Sequence, residues 1–251
     1  KGWARKHIHK LIVMSSTFRQ GSRLNPELIE LDPKNQLYTR GPRFRMPAEL
    51  IRDNGLAVSG LLSIKMGGPP VMPYQPENIW RTVGRNGPKW TAANDEDRFR
   101  RGVYVVWRRA APYPSFVNFD APDRAACVVD RPRTNTPLQA LTLLNDQAFL
   151  EMAVALADRV SAERADGTVK ERIILAMRSC LARVPEEDEI QELLGLYDVE
   201  LRRFKNEPKS ADSFLQPLVQ KNRVSHSGSN ELAALSMVCN VLLNLDETIN
   251  Y

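Results

Sequence analysis

The sequence predicts a mainly α fold, in which a helical domain carries a small β hairpin or sheet and long ordered loops. Apolar residues recur at helical spacing through most of residues 136–251. Short β-branched and aromatic runs occur between residues 103 and 129, and Gly, Pro and Asn interrupt the chain before residue 135. The sequence therefore divides into a loop-rich part, residues 1–135, with two helices and the β element, and a helical part, residues 136–251. We expect the two parts to form one continuous domain.

Two helices are predicted in the loop-rich part. Residues 4–15 carry Ile8, Leu11 and Ile12 at helical spacing among Arg, Lys and His, which predicts an amphipathic helix. The second runs from Pro47 to Leu62, because proline suits a first helical turn. The run MGGPPVMP that follows it lacks the spacing of a phosphate-binding loop, so we interpret it as a structural surface loop.

The β element is predicted from three short runs. VYVVW, residues 103–107, is the best strand candidate, because β-branched and aromatic residues are typical of strands. A lone strand needs a partner. FVNF, residues 116–119, and CVV, residues 127–129, are the segments expected to pair with it.

The helical part is predicted from periodicity and from its helix starts. One or two helices span residues 137–162, and others span 168–183 and 186–205, the last beginning after Pro185 with the acidic run EEDE. Residues 206–228 lose the periodicity and predict a loop with a short apolar turn. The closing segment ELAALSMVCNVLLNLDETI, residues 231–249, is predicted to be helical again.

The stretch RPRTNTPLQ, residues 131–139, combines a helix start with unexplained polar residues. Thr136 and Gln139 fit a capping box with Pro137 at the first helical position, and such a cap contributes about 1 kcal/mol. The cap does not account for Arg131, Arg133, Thr134 or Asn135. Two arginines just before a helix N-terminus predict either a carboxylate, sulfate or phosphate site or internal ion pairs.

The acidic partners for such ion pairs are present in FDAPDR, residues 119–124. Asp120 and Asp123 lie a short distance upstream of the arginines, and Arg124 follows them. The same two carboxylates also allow a catalytic interpretation, because glycoside hydrolysis uses a pair of acids. The sequence leaves internal pairing, a ligand site and catalysis open. The candidate binding residues are Arg131, Arg133, Asn135, Asp120, Asp123 and Arg124, with Thr136 and Gln139 as the structural cap.

Composition narrows the class of partner. Residues 1–50 carry ten Lys or Arg against four Asp or Glu, and residues 97–133 carry eight Arg against four Asp. Such basic segments attract an acidic partner or an acidic polysaccharide. The sequence disfavours nucleic acid as the partner, because no nucleic-acid-binding motif accompanies these segments. No apolar run is long enough to predict a membrane span. The spacing of Cys127, Cys180 and Cys239 matches no metal or haem motif, so we expect no metal and no cofactor in this chain. The spacing does not decide whether any two of these cysteines form a disulfide.

Three long segments of the chain resemble a known family when they are taken together and in their order along the chain. They are LYTRGPRFRMPAELIRDNGLAVSGLL, FRRGVYVVWRRAAPYPSFVNFDAPDRAACVVDRPRTNTPLQALTLLND and ELAALSMVCNVLLNLDETI. They resemble the C-terminal part of a large uncharacterised family of proteins from planctomycetes and related bacteria. The resemblance implies an exported, extracytoplasmic protein whose longer members carry a cytochrome-c-like domain upstream, so haem c is expected on that upstream domain. The chain begins with Lys1 inside a helix-like segment, and we expect it to be a piece of a longer protein.

These observations favour a non-catalytic binding or assembly module of an exported, cytochrome-c-associated multidomain protein. Its expected partner is its own upstream cytochrome-like domain or an acidic polysaccharide. The alternative is a redox-linked or carbohydrate-active enzyme with a site around Asp120, Asp123, Arg131 and Arg133.

Overall fold

The chain is mainly helical in the part that the computed structural model describes, residues 2–22, 25–77, 79, 90–219 and 229–250. Short 3₁₀ turns at Glu96–Phe99 and Gly102–Tyr104 precede the fourth helix. The helices of the described residues are α1 Arg5–Val13, α2 Pro26–Leu31, α3 Ala48–Val58, α4 Pro114–Asn118, α5 Pro137–Asn145, α6 Gln147–Glu163, α7 Val169–Leu181, α8 Glu187–Asn206, α9 Pro208–Val219, α10 Ser229–Asn244 and α11 Asp246–Ile249.

The contacts divide the chain into two compact units. The smaller unit runs from the start of the chain to Arg45 and includes Asn250. Within it, Asp32 is buried and accepts hydrogen bonds from the backbone N–H groups of Gln36 and Leu37, both at 2.7 Å. The larger unit, Met46–Ile249, contains residues from both sides of the predicted division at residue 135.

Helix α10 lies at the centre of the larger unit. It packs mainly against α6 and α8, and also against α9, α7 and α5. A helix that is apolar on all sides must be buried on all sides, and the successive residues Ala233, Ala234 and Leu235, which point to different sides of α10, are at most 2% exposed. Met152 and Leu156 of α6 are buried equally well, so these two helices supply the middle of the core.

Polar caps determine where the helices of the C-terminal part begin. Thr168 and Glu171 form a capping box at the start of α7, and Glu186 and Glu189 form one at the start of α8. Asp146 ends α5 and caps α6, accepting from the Ala148 N–H at 2.8 Å. The predicted helical stretch 137–162 is therefore two helices.

The predicted β hairpin is absent from the described residues, which form isolated bridges instead of strands. In the VYVVW run, a 3₁₀ turn ends at Tyr104 and Val105 makes a single parallel bridge to Val71. FVNF lies mostly in α4, where Phe116 is buried in the core, and residues 127–129 are exposed coil. Strand propensity expresses how well side chains fit a half-buried pleated surface, and here burial of Phe116 is achieved by a helix instead.

The loop predicted at residues 206–228 is wrong in its described part, because residues 208–219 form α9. Pro208 begins the helix, and Ala211 and Leu215 are buried at 0% and 3% exposure. The Phe214 ring lies 6.1 Å from the Phe204 ring of α8. Residues 220–228 lie outside the described part.

The MGGPPVMP segment is fastened by Arg100, whose side chain is fully buried. Its guanidinium donates to the carbonyls of Pro69 at 3.1 Å, Lys65 at 3.3 Å and Gly67, and it lies 3.9 Å from the Tyr104 ring. Three carbonyls satisfy a charge that would otherwise be costly to bury. The segment is thus held by the protein's own arginine.

In the described helices, we find no single helix with the length and hydropathy to cross a membrane. Only the bent pair α5 and α6 reaches that length and hydropathy together, with an angle of 56° between its members.

Candidate functional site

The loop between α4 and α5 is built around the Asp120 carboxylate. It accepts from the Thr134 N–H at 2.7 Å and from the Thr134 hydroxyl at 2.8 Å. Asp120 has a φ of 60°, in the left-handed region that Asp tolerates better than most residues. The backbone turn at Asp120 therefore directs its carboxylate back to Thr134, which precedes α5.

Gln139 joins this loop to the first turn of α5. Its side chain is buried, and its amide donates to Thr134 Oγ1 at 3.0 Å and lies 3.5 Å from Asp120 Oδ2. The structure places Thr136 at the N-cap, where its hydroxyl accepts from the Gln139 N–H at 3.4 Å, with Pro137 first in the helix. Asp120, Thr134 and Gln139, which we call the Asp120 cluster, thus form one hydrogen-bonded group.

Arg131 and Arg124 approach a carboxylate that the sequence did not indicate. Arg131 Nη1 lies 2.8 Å from Oε2 of Glu49 on α3, and Arg124 Nη2 lies 4.0 Å from the other oxygen. The Arg124 guanidinium also lies 4.6 Å from the centre of the Trp107 ring. The Glu49 side chain is only 15% exposed, but those of Arg131 and Arg124 are 38% and 54% exposed, so the two arginines reach it from the surface of the larger unit.

The remaining candidate residues are distributed differently. Asp123 Oδ1 accepts from the Ala125 N–H at 2.9 Å and closes a local turn. Arg133 is exposed and takes part in an interaction within the protein, and Asn135 is exposed. The structure therefore brings Asp120 to Thr134 and Gln139 and brings Arg131 to Glu49. Arg131 thus pairs with Glu49 and not with its predicted partners, Asp120 and Asp123, which accept hydrogen bonds from Thr134 and Ala125.

A second group of polar residues, the Arg52 cluster, comprises Arg52, Arg98, Glu151, Tyr113 and Asp146. Arg98 and Glu151 form a buried ion pair, and Arg52 donates from Nη2 to the Arg98 carbonyl at 2.5 Å. Among the described residues, Arg52 Nε has no hydrogen-bond acceptor. Sequence reasoning missed this group. Arginine is usually an exposed residue, so the sequence does not indicate that Arg52 of α3 and Arg98 of a 3₁₀ turn lie on the buried sides of these elements.

Burial changes the acid–base properties of this cluster. It raises the pKa of Tyr113 to about 12, and it raises the pKa of Asp146 above its ordinary value of 3.8. Tyr113 therefore stays protonated, and its hydroxyl donates to the Tyr74 carbonyl at 2.9 Å. Two cavities of about 10 Å³ border Arg52, one lined by Tyr113 and Ser115 and the other by Tyr74 and Glu151. Each has room for about one water molecule, which fits a packing defect better than a substrate site.

The described residues contain no group of three or more His, Cys, Asp or Glu side chains that could hold a metal ion.

The three cysteines are free thiols. Cys127 is exposed, whereas burial raises the pKa of Cys239 well above its ordinary value and that of Cys180 to about 12. A buried neutral thiol is a poor nucleophile, so Cys180 and Cys239 serve as core residues.

Comparison with known families gives a match over most of the chain. The family model described as "Protein of unknown function (DUF1553)" matches residues 1–197, which include both the Asp120 cluster and the Arg52 cluster. The comparisons with curated proteins and with solved structures give no match.

Proposed function

The chain belongs to the DUF1553 family of proteins of unknown function, and from that premise we propose that it acts as a non-catalytic binding or assembly module. The observation that carries the proposal is that Asp120 and Arg131 are already engaged by the protein itself. Asp120 accepts two hydrogen bonds from Thr134, and Arg131 pairs with Glu49. Groups used in this way fix a loop onto α5 and α3 and leave little capacity for proton transfer to a ligand.

The partner in this proposal is an acidic polysaccharide or the protein's own upstream cytochrome-like domain. The family resemblance supports an exported, extracytoplasmic setting, with haem c on the upstream domain. Much of the arginine excess of residues 97–133 is internal, because Arg98 and Arg100 are buried and Arg101 pairs with Asp53. Arg109 is exposed, and Arg124 keeps 54% exposure of its side chain although it lies 4.0 Å from Glu49; in the proposal both contact the carboxylate or sulfate groups of the partner.

The test begins with Asp120→Ala. We expect it to lower the free energy of unfolding by about 1–3 kcal/mol, because the Thr134 N–H loses its acceptor. Asp120→Asn keeps one acceptor oxygen and tolerates the positive φ, so it should cost less. Urea unfolding measures both variants, and Asp123→Ala, which removes a single exposed turn contact, is the matched control.

The binding measurement uses heparin as a sulfated polysaccharide probe, by calorimetry on the same variants. The unsubstituted chain should bind heparin with an affinity that falls as salt rises, because screening weakens exposed charge contacts. Arg109→Ala combined with Arg124→Ala should weaken binding, whereas Asp120→Ala should not. A normal unfolding curve together with lost heparin binding in Asp120→Ala or Arg131→Ala would show that the substituted residue itself belongs to the ligand site, against the proposal.

A further inference from the structure

Helix α1 of the smaller unit is exposed along its whole length. None of the residues of Arg5–Val13 is buried, and Ile8, Leu11 and Ile12 are 54%, 57% and 51% exposed. At 3.6 residues per turn these three side chains fall within an arc of about 100° around the helix axis. They form one apolar stripe, which we call the α1 stripe.

Large apolar side chains also precede and follow the helix. Trp3 precedes α1 and is fully exposed, and Met14 and Phe18 follow it at 60% and 62% exposure. Aromatic rings at such positions are typical of segments that lie at a membrane surface, where the ring sits at the level of the lipid headgroups.

The same segment is basic without a compensating acid. Arg5, Lys6, Lys10 and Arg19 lie between residues 2 and 22, and the first acidic residue of the chain is Glu27. Measured around the helix axis from Arg5, the α1 stripe lies at about 240° to 340°, whereas Lys6 and Lys10 lie at about 100° and 140°. The two lysines are therefore on the side of the helix opposite the stripe. The helix therefore has an apolar side and a positively charged side.

We propose that α1, with Trp3 and Phe18, docks onto the surface of an anionic lipid bilayer. The α1 stripe would face the acyl chains while the lysine and arginine heads reach the lipid phosphates, since their long stems allow the charge to stay in the headgroup layer. An acidic protein would have to meet opposite sides of one helix at once, whereas a bilayer interface offers an apolar phase below and anionic groups around the helix axis. The surface of an anionic bilayer can therefore contact both the apolar side and the charged side of α1.

The helix would lie along the surface and not across the bilayer. Nine residues extend about 14 Å, and the hydrocarbon core of a bilayer is about 30 Å thick. The inference concerns the smaller unit and is independent of the function proposed for the residues around Asp120.

Vesicle flotation of the full chain tests the proposal. We expect the chain to float with phosphatidylcholine vesicles that contain about 30 mol% phosphatidylglycerol, and to remain unbound with phosphatidylcholine alone. Ile8→Ser with Leu11→Ser should lower the partition coefficient at least about tenfold, because it removes apolar burial while leaving the charge. Lys6→Gln with Lys10→Gln should lower it by about the same factor, because it removes charge and leaves the stripe.

The matched control replaces one exposed apolar residue and one exposed lysine on α8, as Val199→Ser with Lys205→Gln, and should bind as the unsubstituted chain does. All substituted side chains are exposed, so thermal unfolding should be unchanged. The proposal is overturned if the chain does not float with anionic vesicles, or if it floats equally well with neutral ones. Unaltered binding by both α1 variants would also overturn it. So would a dimer in analytical ultracentrifugation that Ile8→Ser with Leu11→Ser abolishes, because a second copy would then cover the stripe.

Discussion

Arg98 and Glu151 form a buried ion pair in which the loss of either side chain would lower the stability of the protein. Both side chains are less than 10% exposed, one on a 3₁₀ turn and the other on α6. Desolvation makes such a pair only weakly stabilising relative to apolar residues, but removal of one member leaves an uncompensated charge inside the protein. The pair therefore ties the segment before α4 to the central helices.

Glu151→Gln should be strongly destabilising. The amide keeps the shape of the side chain but leaves the Arg98 guanidinium without its carboxylate, so we expect a loss of about 3–5 kcal/mol in the free energy of unfolding. Glu163→Gln is the control, because Glu163 pairs with Arg159 at the surface and exposed pairs contribute about 0.5 kcal/mol or less. Urea unfolding at neutral pH measures both, and equal losses would show that the buried pair has no special role.

At this scale the sequence predicts what is local. The start of α5 could be placed at Thr136 and Pro137 because a cap and its partner lie within four residues. The partner of Arg131 could not be predicted, because Glu49 is 82 residues away and its position follows from the packing of α3. Asp120 was identified as a candidate acid, but its engagement by Thr134 depends on a positive φ that the sequence does not display.

Among the elements, α3 and the 3₁₀ turn at Gly102–Tyr104 approach each other more closely than side chains allow. A Cβ added to Gly102 would lie 2.9 Å from the Cα of Glu49, and the Gly102 N–H donates to Asp53 at 2.6 Å. Only a glycine permits this backbone contact. The contact also places Glu49 where Arg131 meets it.

Gly102→Ala should therefore destabilise the protein by about 1–3 kcal/mol, because the backbone of α3 cannot move aside as a flexible side chain would. Gly195→Ala is the matched control. Gly195 lies inside α8 with nothing near an added Cβ, so the same change should stabilise by about 0.5–1 kcal/mol. Thermal unfolding of the two variants measures the difference. A neutral Gly102→Ala would mean that the two elements separate readily.

Elements with strong periodicity were predicted well, and elements defined by tertiary contact were not. The predicted helix at 168–183 is α7, Val169–Leu181, and that at 186–205 is α8, Glu187–Asn206, since each has its own cap and apolar face. The prediction of a strand at VYVVW was wrong because, among the described residues, Val105 has a single bridging partner, Val71. Helix α9 was missed because polar residues surround its few buried positions.

For the whole molecule, the dependence of stability on pH reflects carboxyl groups with opposite shifts. Burial raises the pKa of Asp146, so the unfolded chain releases this proton at lower pH than the folded chain does. As pH rises above 3.8, the ordinary pKa of the group, its contribution to stability falls, and it stays low once the folded form is ionised. Glu171 has the opposite effect, because hydrogen bonds from Thr168 lower its pKa below 4.5, and its contribution is lost as pH falls.

Asp146→Asn should remove the first contribution while keeping an oxygen that caps α6. We expect the free energy of unfolding of the variant, relative to the unsubstituted chain, to increase as pH rises from about 3 toward neutrality, and then to become constant. Urea unfolding across this range gives the difference directly. A difference that is independent of pH, or that shrinks as pH rises, would contradict the assignment.

The position of α10 in the core has a practical consequence for anyone who shortens this chain. The family match ends at residue 197, within α8, whereas α10 begins at residue 229 and fills the space between α6 and α8. A chain that stopped at the end of the match would leave the apolar sides of α6 open to water and would aggregate. The stretch that the family model matches is thus shorter than the stretch that must be synthesised before the larger unit can fold.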